Sequence, residues 1–388
     1  MPDLLQVIET IRAEEASVQK LFGGEGQGAH TGARSASYKQ RLAEAAKLIA
    51  DVLQGRKGTH YLREAMTTSD FPILFGDILD RQMLAAYREY PSTWQNYVHR
   101  ATVRDFRTVE RHPGILGADQ ELAEVKEQGE YTEAALSEQS PYTYKVAKHG
   151  RRVPISWETL INDDLDRLTD IPTRLGRAAR RSESRFATRL HADANGPHAA
   201  LYTVGNKNIV TGNPALSIVG LQSALLVLAA QVDEQNEPIL VETVELVVPP
   251  ALEIVAQNIL NATQLELSEA GATSGQKMMV ANWMRNRLRL NVDPYHPLVA
   301  NSANGSTAWY LFANPSNGRP ALEMGFLRGH EEPEIFIKTP NAQRVGGGAI
   351  NATDGDFDTD SIEYKVRHVF GGTRLDPKMT VASQGDGS

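Results

Sequence analysis

The residues that come closest to a chemical motif are four alternating aspartates late in the sequence. In the run DGDFDTD they are Asp354, Asp356, Asp358 and Asp360. Carboxylates at this spacing resemble the start of a calcium-binding loop, which also needs a glycine at the sixth position and a carboxylate at the twelfth. Those two positions hold Thr359 and Lys365. We therefore interpret the run as an acidic surface turn before a strand, and keep Asp354, Asp356 and Asp358 only as weak metal candidates.

The sequence lacks the usual motifs for phosphate binding, for zinc-dependent hydrolysis and for a nucleophile elbow. In GATSG, Ser274 stands one place too late for such an elbow, and the glycines at 346–348 lack the lysine and the helix of a phosphate loop. His330 precedes two glutamates, but Pro333 breaks any helix that would present them together. The chain has no cysteine, which excludes disulfides, cysteine-ligated zinc and thiol chemistry. We expect neither a catalytic centre nor a cofactor.

The charged residues are arranged for contact rather than for catalysis. The net charge of −8 argues against a dedicated DNA-binding protein. Residues 117–141 hold seven acids against Lys126 alone, whereas residues 167–189 hold seven arginines against two acids. Such asymmetry can steer copies of one chain together, although a solvated face is the simpler reading of either run. Our candidates for contacts between subunits are Glu121, Glu124, Glu127, Glu130, Arg174, Arg177, Arg181 and Arg185.

The first half of the chain predicts helices, an aromatic core and a long hairpin. Residues 38–53 carry a one-sided apolar stripe at helical spacing. Residues 66–100 are rich in aromatic side chains and are typical of a core. Two strand-like runs, 101–112 and 142–156, flank the acidic segment. They predict an extended hairpin arm that needs another surface to lie on, because an isolated two-stranded hairpin is marginal in water.

The second half predicts a long helix and then a compact α/β domain. The helix falls within 157–192, capped at Thr169 or Asp170, with Pro172 in its first turn. Residues 215–345 alternate helices with strands such as 244–248 and 309–313. The strand 361–370 is expected to turn at Gly371 and Gly372 into a closing hairpin. No apolar run approaches the roughly 20 residues that span a bilayer, and no signal peptide is recognisable.

Several short stretches and the order of these segments resemble the Hong Kong 97-type major capsid proteins of Mu-like and related tailed phages. The stretches are Thr67–Pro72, Pro91–Trp94, Ala308–Phe312 and Tyr364–His368. The resemblance covers roughly residues 60–383. It implies an α+β fold with an N-terminal arm, an E-loop hairpin, a P-domain with a long spine helix and an α/β A-domain. On that analogy the arm is 1–65, the P-domain is 66–100, 157–213 and 346–388, the E-loop and its base are 101–156, and the A-domain is 214–345.

The resemblance implies a non-enzymatic protein that assembles into hexamers and pentamers of an icosahedral shell around double-stranded DNA. The expected partners are other copies of the chain, a portal protein, packaged DNA bound without sequence preference, and no membrane. Only about 60 residues precede the predicted core, so any scaffolding is expected from a separate protein. The expected location is the virion, and the host cytoplasm during assembly. Two alternatives stay open: an encapsulin-type compartment that encloses cargo proteins, and an enzyme with an unfamiliar site.

Overall fold

The computed structural model describes residues 71–111, 115–116, 137–138, 142–156, 165–232, 238–241, 243–268, 277–316, 319–338, 358–359 and 361–386. Helices α1 to α6 span Phe71–Glu89, Leu165–His191, Ile218–Ala229, Glu253–Asn261, His296–Val299 and Asn304–Thr307. Strands β1 to β8 span His99–Val103, Val109–Arg111, Ile115–Leu116, Ser137–Glu138, Tyr142–Tyr144, Ala147–Ser156, Ala192–Asp193 and Gly196–Pro197. Strands β9 to β17 span Val244–Val248, Gln264–Ser268, Lys277–Ala281, Leu288–Val292, Trp309–Ala313, Leu322–Leu327, Glu334–Ile337, Ser361–Arg374 and Thr380–Ser383.

The described residues fall into two compact units, each built from three stretches of chain. The first unit takes its residues from the ranges 1–91, 148–181 and 332–369. The second unit takes its residues from the ranges 92–147, 182–331 and 370–388. The mixture of helices and sheets confirms the α+β class. The narrower domain boundaries given above follow from the family resemblance and stay a prediction.

The second unit is built on a four-stranded sheet in the order β12-β9-β13-β17. Strands β9 and β13 are buried at every position, as expected for the mainly apolar runs VELVV and WYLFA, and the burial includes the charged residue Glu245 of β9. Helices α3 and α4 cover one face of this sheet with a shared apolar core. This confirms the α/β character predicted for the region. The sheet also includes β17, from the segment that the resemblance assigns to the P-domain.

A second layer of the same unit surrounds strand β14. Strand β14 pairs in parallel with β1 and antiparallel with residues 370–374 of β16. Trp94 stacks on Phe326 at 6.0 Å between ring centroids, and Tyr97 stacks on Phe312 at 5.0 Å. Such aromatic pairs contribute about 0.5–1.5 kcal/mol beyond the area that they bury. The aromatic core predicted for residues 66–100 is therefore confirmed for its second half.

The hairpin arm is present at its base. Strands β2 and β5 pair antiparallel, with Val109 opposite Tyr144, and β3 pairs with β4 further out. The strand predicted over 101–112 is divided into β1, which joins the sheet around β14, and β2, which starts the arm. The acidic tip lies outside the described residues.

Helix α2 begins earlier than predicted. It starts at Leu165, so the predicted cap at Thr169 or Asp170 is wrong and Pro172 lies inside the helix. The proline removes one backbone donor but leaves the next turns intact. At the C-terminal end of α2, the carbonyl of Leu190 has no donor within the helix. The Nε of Arg374 donates a hydrogen bond to it at 2.7 Å. Burial lowers the pKa of Arg374.

The predicted turn at Gly371 and Gly372 is also wrong, because β16 runs straight through both glycines to Arg374. The glycines serve close packing instead. A Cβ atom on Gly371 would lie 2.2 Å from the carbonyl oxygen of Lys145, and one on Gly372 would lie 2.5 Å from that of Glu323. The chain then enters β17, which pairs with β13 and not with β16.

In the first unit, helices pack against one face of a sheet. In this sheet, residues 364–367 of β16 pair with β15, and β6 also pairs with β16. Met83 from α1, Leu175 from α2 and Val366 from β16 form its buried apolar centre. Gly176 allows the two helices to approach, since a Cβ atom there would lie 2.3 Å from the carbonyl oxygen of Met83. In the part of the chain described, no helix is long and apolar enough to cross a membrane.

Candidate functional site

A buried carboxylate fixes the base of the hairpin arm. Glu323 of β14 is 3% exposed. Its Oε1 accepts hydrogen bonds from Tyr144 Oη at 2.6 Å and from Arg111 Nε at 2.7 Å. The donors belong to the two arm strands β5 and β2, so one side chain of the core holds both strands of the arm at once.

The electrostatics of this anchor stabilise the ion pair between Arg111 and Glu323. The hydrogen bond to Glu323 raises the pKa of Arg111, while burial raises the pKa of the Tyr144 phenol and keeps it a donor. Gly325, two residues along β14, makes room for the ring, because a Cβ atom there would lie 2.5 Å from Tyr144 Oη. The base of the arm is therefore fixed within the second unit. Sequence reasoning missed Glu323, which is unremarkable in the run LEMGFL.

The four glutamates predicted to form the contact tip of the arm, Glu121, Glu124, Glu127 and Glu130, lie outside the described residues. Their docking on a neighbour stays a prediction.

The predicted arginines lie on α2. Arg174, Arg181 and Arg185 are exposed, whereas Arg177 is half-buried. The Arg181 guanidinium lies 5.4 Å from the centre of the Tyr90 ring. An arginine that we did not single out, Arg180, is held more firmly: it donates to Tyr87 Oη at 3.2 Å and lies 4.5 Å from the centre of that ring.

The first unit also presents a face of its sheet that carries mainly basic side chains, which we name the basic sheet face. It consists of Arg152, Glu334, Phe336, Lys338, Glu363, Lys365 and Arg367. Arg367 pairs with Glu334 at 2.5 Å, and Glu363 receives Arg152 at 3.3 Å and Lys338 at 3.5 Å. Lys365 and Arg367 both lie against the Phe336 ring, 4.8 Å and 4.6 Å from its centre. Four basic groups against two acids leave a net charge of about +2 on this face.

A buried polar cluster lies in the core of the second unit. Asp293 accepts a hydrogen bond from Thr188 Oγ1 at 2.6 Å, and His191 Nε2 lies 3.8 Å from the same carboxylate oxygen, Oδ2. His296 Nε2 is 2.7 Å from Tyr310 Oη. Burial raises the pKa of Asp293 to about 6 and lowers the pKa of both histidines.

The cluster resembles the residue set of an acid–base site, but Thr188 and His191 are fully buried and Asp293 and His296 are 2% and 1% exposed. We interpret it as a structural network that joins α2 to the segment after β12. Thr188 and His191 lie about 105 residues from Asp293 and His296, and no spacing rule brings the two pairs together.

Two of the acidic residues that the sequence offered as possible ligands or catalytic groups are Asp358 and Glu331, and the structure describes both. Asp358 is an exposed turn residue, whereas Asp354 and Asp356 lie outside the described residues. Glu331 pairs with Arg100 at 3.7 Å, within the second unit. No group of three or more potential metal ligands occurs among the residues that the structure describes.

A model of a family described as phage capsid protein matches residues 140–383. The match covers more than half of the chain, and the chain therefore belongs to the phage capsid protein family. The membership confirms the expected class of protein and its place in the virion capsid, and the observed α+β fold agrees with the Hong Kong 97-type architecture. It gives no separate support to the encapsulin alternative. No curated protein sequence matches the chain.

Solved structures similar to this chain come from phages and from protein shells of microbes. A structure from Mycobacterium phage Adephagia has a TM-score of 0.44 and 11% identity, covering 76% of this chain and 90% of that chain. A virus-like particle from Pyrococcus furiosus has a TM-score of 0.40 and 12% identity, covering 80% and 99%. An encapsulin complex from Synechococcus elongatus has a TM-score of 0.45 and 12% identity, covering 78% and 90%. The family assignment rests on the sequence match.

Proposed function

We propose that this chain is the major capsid protein of a tailed phage, which assembles into the hexamers and pentamers of an icosahedral shell around double-stranded DNA. The match to the phage capsid family over residues 140–383 carries this proposal. The protein acts as a structural subunit and has no catalytic role. Other copies of the chain are its main partners, and a portal protein and a separate scaffolding protein take part during assembly in the host cytoplasm.

The arm supports a role in joining subunits. Its base is fixed by Glu323, its strands continue as β3 and β4, and the sequence between them is rich in acids and poor in β-branched and aromatic residues. A long arm of this kind gains its stability from a surface that it covers, since burial contributes only about 25 cal/mol per Å² of apolar area. We propose that the acidic tip docks on a basic surface of an adjacent subunit.

The basic sheet face is a suitable receptor for that tip. Lys365 and Arg367 are placed side by side against Phe336, and two acids balance four basic groups only in part. Exposed ion pairs contribute about 0–1 kcal/mol each, so the charges act on the rate and register of assembly more than on the stability of the finished shell. The exposed arginines of α2 are a second basic surface, and we propose that they pair with acids of a neighbour rather than with DNA.

Charge reversal tests the docking. Reversing Glu124 and Glu127 to lysine is expected to slow assembly, and adding Lys365→Glu and Arg367→Glu in the same chain is expected to restore part of the rate. The measurement is light scattering of purified subunits at low and moderate salt. Normal assembly by the first variant at both salt concentrations contradicts the proposal.

The function itself is tested by electron microscopy of the purified wild-type protein and by analysis of native particles. We expect closed shells, and nuclease-protected double-stranded DNA inside native particles. Shells filled with cargo protein and free of DNA identify an encapsulin instead. A monodisperse monomer that never assembles points to the enzyme alternative.

A further inference from the structure

A cavity opens at the base of the arm, within the second unit, and we name it the arm-base cavity. It has a volume of about 360 Å³ and lies between the arm strands, the segment before β14 and the segment after β16. Its wall includes two arginines, Arg111 at the end of β2 and Arg319 between β13 and β14. Cavities that bind small molecules have volumes of about 300–1,000 Å³ and place a few polar groups among apolar ones. The arm-base cavity has the size and the lining of such a site.

Each of the two arginines is held by a shielded carboxylate through the same nitrogen atom. Arg111 Nε donates to Glu323 Oε1 at 2.7 Å, and Arg319 Nε lies 3.3 Å from Asp376 Oδ2. The two carboxylate side chains are only 4% and 13% exposed. Among the described residues, no hydrogen bond involves the terminal nitrogens Nη1 and Nη2 of either arginine. Four terminal nitrogens are therefore left for a ligand on the wall of one cavity.

The carboxylates are themselves fixed, so the arginines are oriented before a ligand arrives. Tyr144 Oη donates to Glu323 at 2.6 Å, and the backbone N–H of Lys378 donates to Asp376 Oδ1 at 2.9 Å. A side chain that is already ordered loses less entropy when it binds a partner. The cavity is therefore preorganised on its charged side.

The donors match a phosphate group better than a single carboxylate. The guanidinium group forms two parallel hydrogen bonds with carboxylates and with phosphates. Two such groups in one cavity exceed the acceptors of one carboxylate in its plane, whereas a phosphate monoester offers three terminal oxygens and a charge of about −1.5 to −2 at pH 7. Because Glu323 and Asp376 already balance the two arginines, binding depends on these directed hydrogen bonds more than on an excess of positive charge.

The rest of the wall indicates an organic group beside the phosphate. Pro315, Pro320 and Leu375 contribute apolar surface, and Tyr142 contributes an aromatic ring. An inorganic phosphate ion held by the arginines would leave this surface without a partner. A small apolar or aromatic group attached to the phosphate would cover it.

We propose that the arm-base cavity binds a small phosphate monoester, with Arg111 and Arg319 as the two arginines that hold its phosphate. The ligand is a small molecule, so the site goes beyond the shell-forming role and depends neither on another copy of the chain nor on packaged DNA. A bound phosphate connects β2 of the arm to the segment before β14 and adds a link at the base of the arm.

Calorimetric titration of the purified full-length protein in phosphate-free buffer tests the site. The probes are phenyl phosphate, inorganic phosphate and benzoate, which keeps the ring but carries a carboxylate. We expect phenyl phosphate to bind more tightly than inorganic phosphate and about tenfold or more tightly than benzoate, the difference that one hydrogen bond to a charged group makes. Equal binding of benzoate overturns the phosphate assignment, and no binding of either phosphate overturns the site.

A matched pair of arginine variants locates the binding. Arg319→Gln is expected to raise the Kd for phenyl phosphate about tenfold or more, because it removes hydrogen bonds to a charged group. Arg289→Gln is the control, since Arg289 is also an exposed arginine beside a buried carboxylate, 4.0 Å from Glu245, and does not line the cavity. An equal loss in both variants shows binding to surface charge in general and contradicts the proposal.

Two further measurements keep the test decisive. If Arg319→Gln fails to fold by circular dichroism, the exposed rim residue Ser316 replaces it: Ser316→Glu should weaken binding of phenyl phosphate and Ser316→Gln should not. Equal affinities of these two variants contradict the proposal. Duplex DNA with 5′-hydroxyl ends carries only phosphate diesters, and we expect it to leave phenyl phosphate bound. Displacement by this DNA at equal phosphate concentration assigns the cavity to packaged DNA and overturns the small-molecule site.

Discussion

Replacing Glu323 with alanine tests whether one carboxylate sets the geometry of the arm. The substitution removes both hydrogen bonds that hold β2 and β5, and it leaves the buried hydroxyl of Tyr144 without its partner. A hydrogen bond to a charged group contributes about 1.5–3 kcal/mol, and an unsatisfied buried group costs a similar amount. The Arg111 side chain is 39% exposed, so solvent reduces its share to about 1 kcal/mol or less. We expect Glu323→Ala to lower the free energy of unfolding by about 3 kcal/mol.

A double-mutant cycle with Tyr144→Phe measures the direct bond. Urea unfolding of the unassembled subunit can be followed by tryptophan fluorescence, because Trp94 and Trp309 are buried in the second unit. We expect the losses for Glu323→Ala and Tyr144→Phe to fall short of additivity by about 1–2 kcal/mol. Additivity within about 0.5 kcal/mol would refute the reasoning, since independent sites behave in that way.

Three further predictions concern other sites. Gly325→Ala should lower the free energy of unfolding by about 1–3 kcal/mol through overpacking against Tyr144, whereas the control Gly205→Ala, whose nearest neighbour would lie 3.8 Å away, should be close to neutral in the same urea assay. Because burial raises the pKa of Asp293 to about 6 from 3.8, its contribution stabilises the fold below about pH 4 and is lost as the pH rises through 6. Asp293→Asn should therefore gain roughly 1–3 kcal/mol relative to wild type between pH 4 and pH 7, and a difference independent of pH excludes this role. Changing the exposed arginines of α2 to glutamine should slow assembly and leave the DNA content of each particle unchanged; a change in DNA content alone would assign these arginines to DNA.

The sequence predicts elements well where a single local pattern decides the outcome. The mainly apolar runs 244–248 and 309–313 are short and rich in β-branched or aromatic residues, which favours a buried strand over a buried helix. The hairpin arm was predictable because two strand-like runs flank a segment that is too acidic for a core.

The misses arise where distant parts of the chain decide the local structure. Gly371 and Gly372 have the pattern of a turn, yet the close approach of Lys145 and of Glu323 requires glycine inside a strand. The start of α2 was misplaced because Pro172 favours a first turn, although a long helix tolerates it further inside. No local pattern marks Glu323 or Asp293, whose side-chain partners Tyr144 and Thr188 lie more than 100 residues away.

The late position of β17 in the chain affects folding during synthesis. This strand completes the sheet by pairing with β13, and the loop through Ile209 bridges its other edge. From Ala313 to Thr380 a ribosome that adds about 5–20 residues per second needs roughly 3–13 s. During that interval β13, which is buried at every position in the finished fold, has one edge open, and an open strand edge favours aggregation. The same delay keeps the packing surface of α3 incomplete until synthesis is nearly finished, because α3 packs against β17.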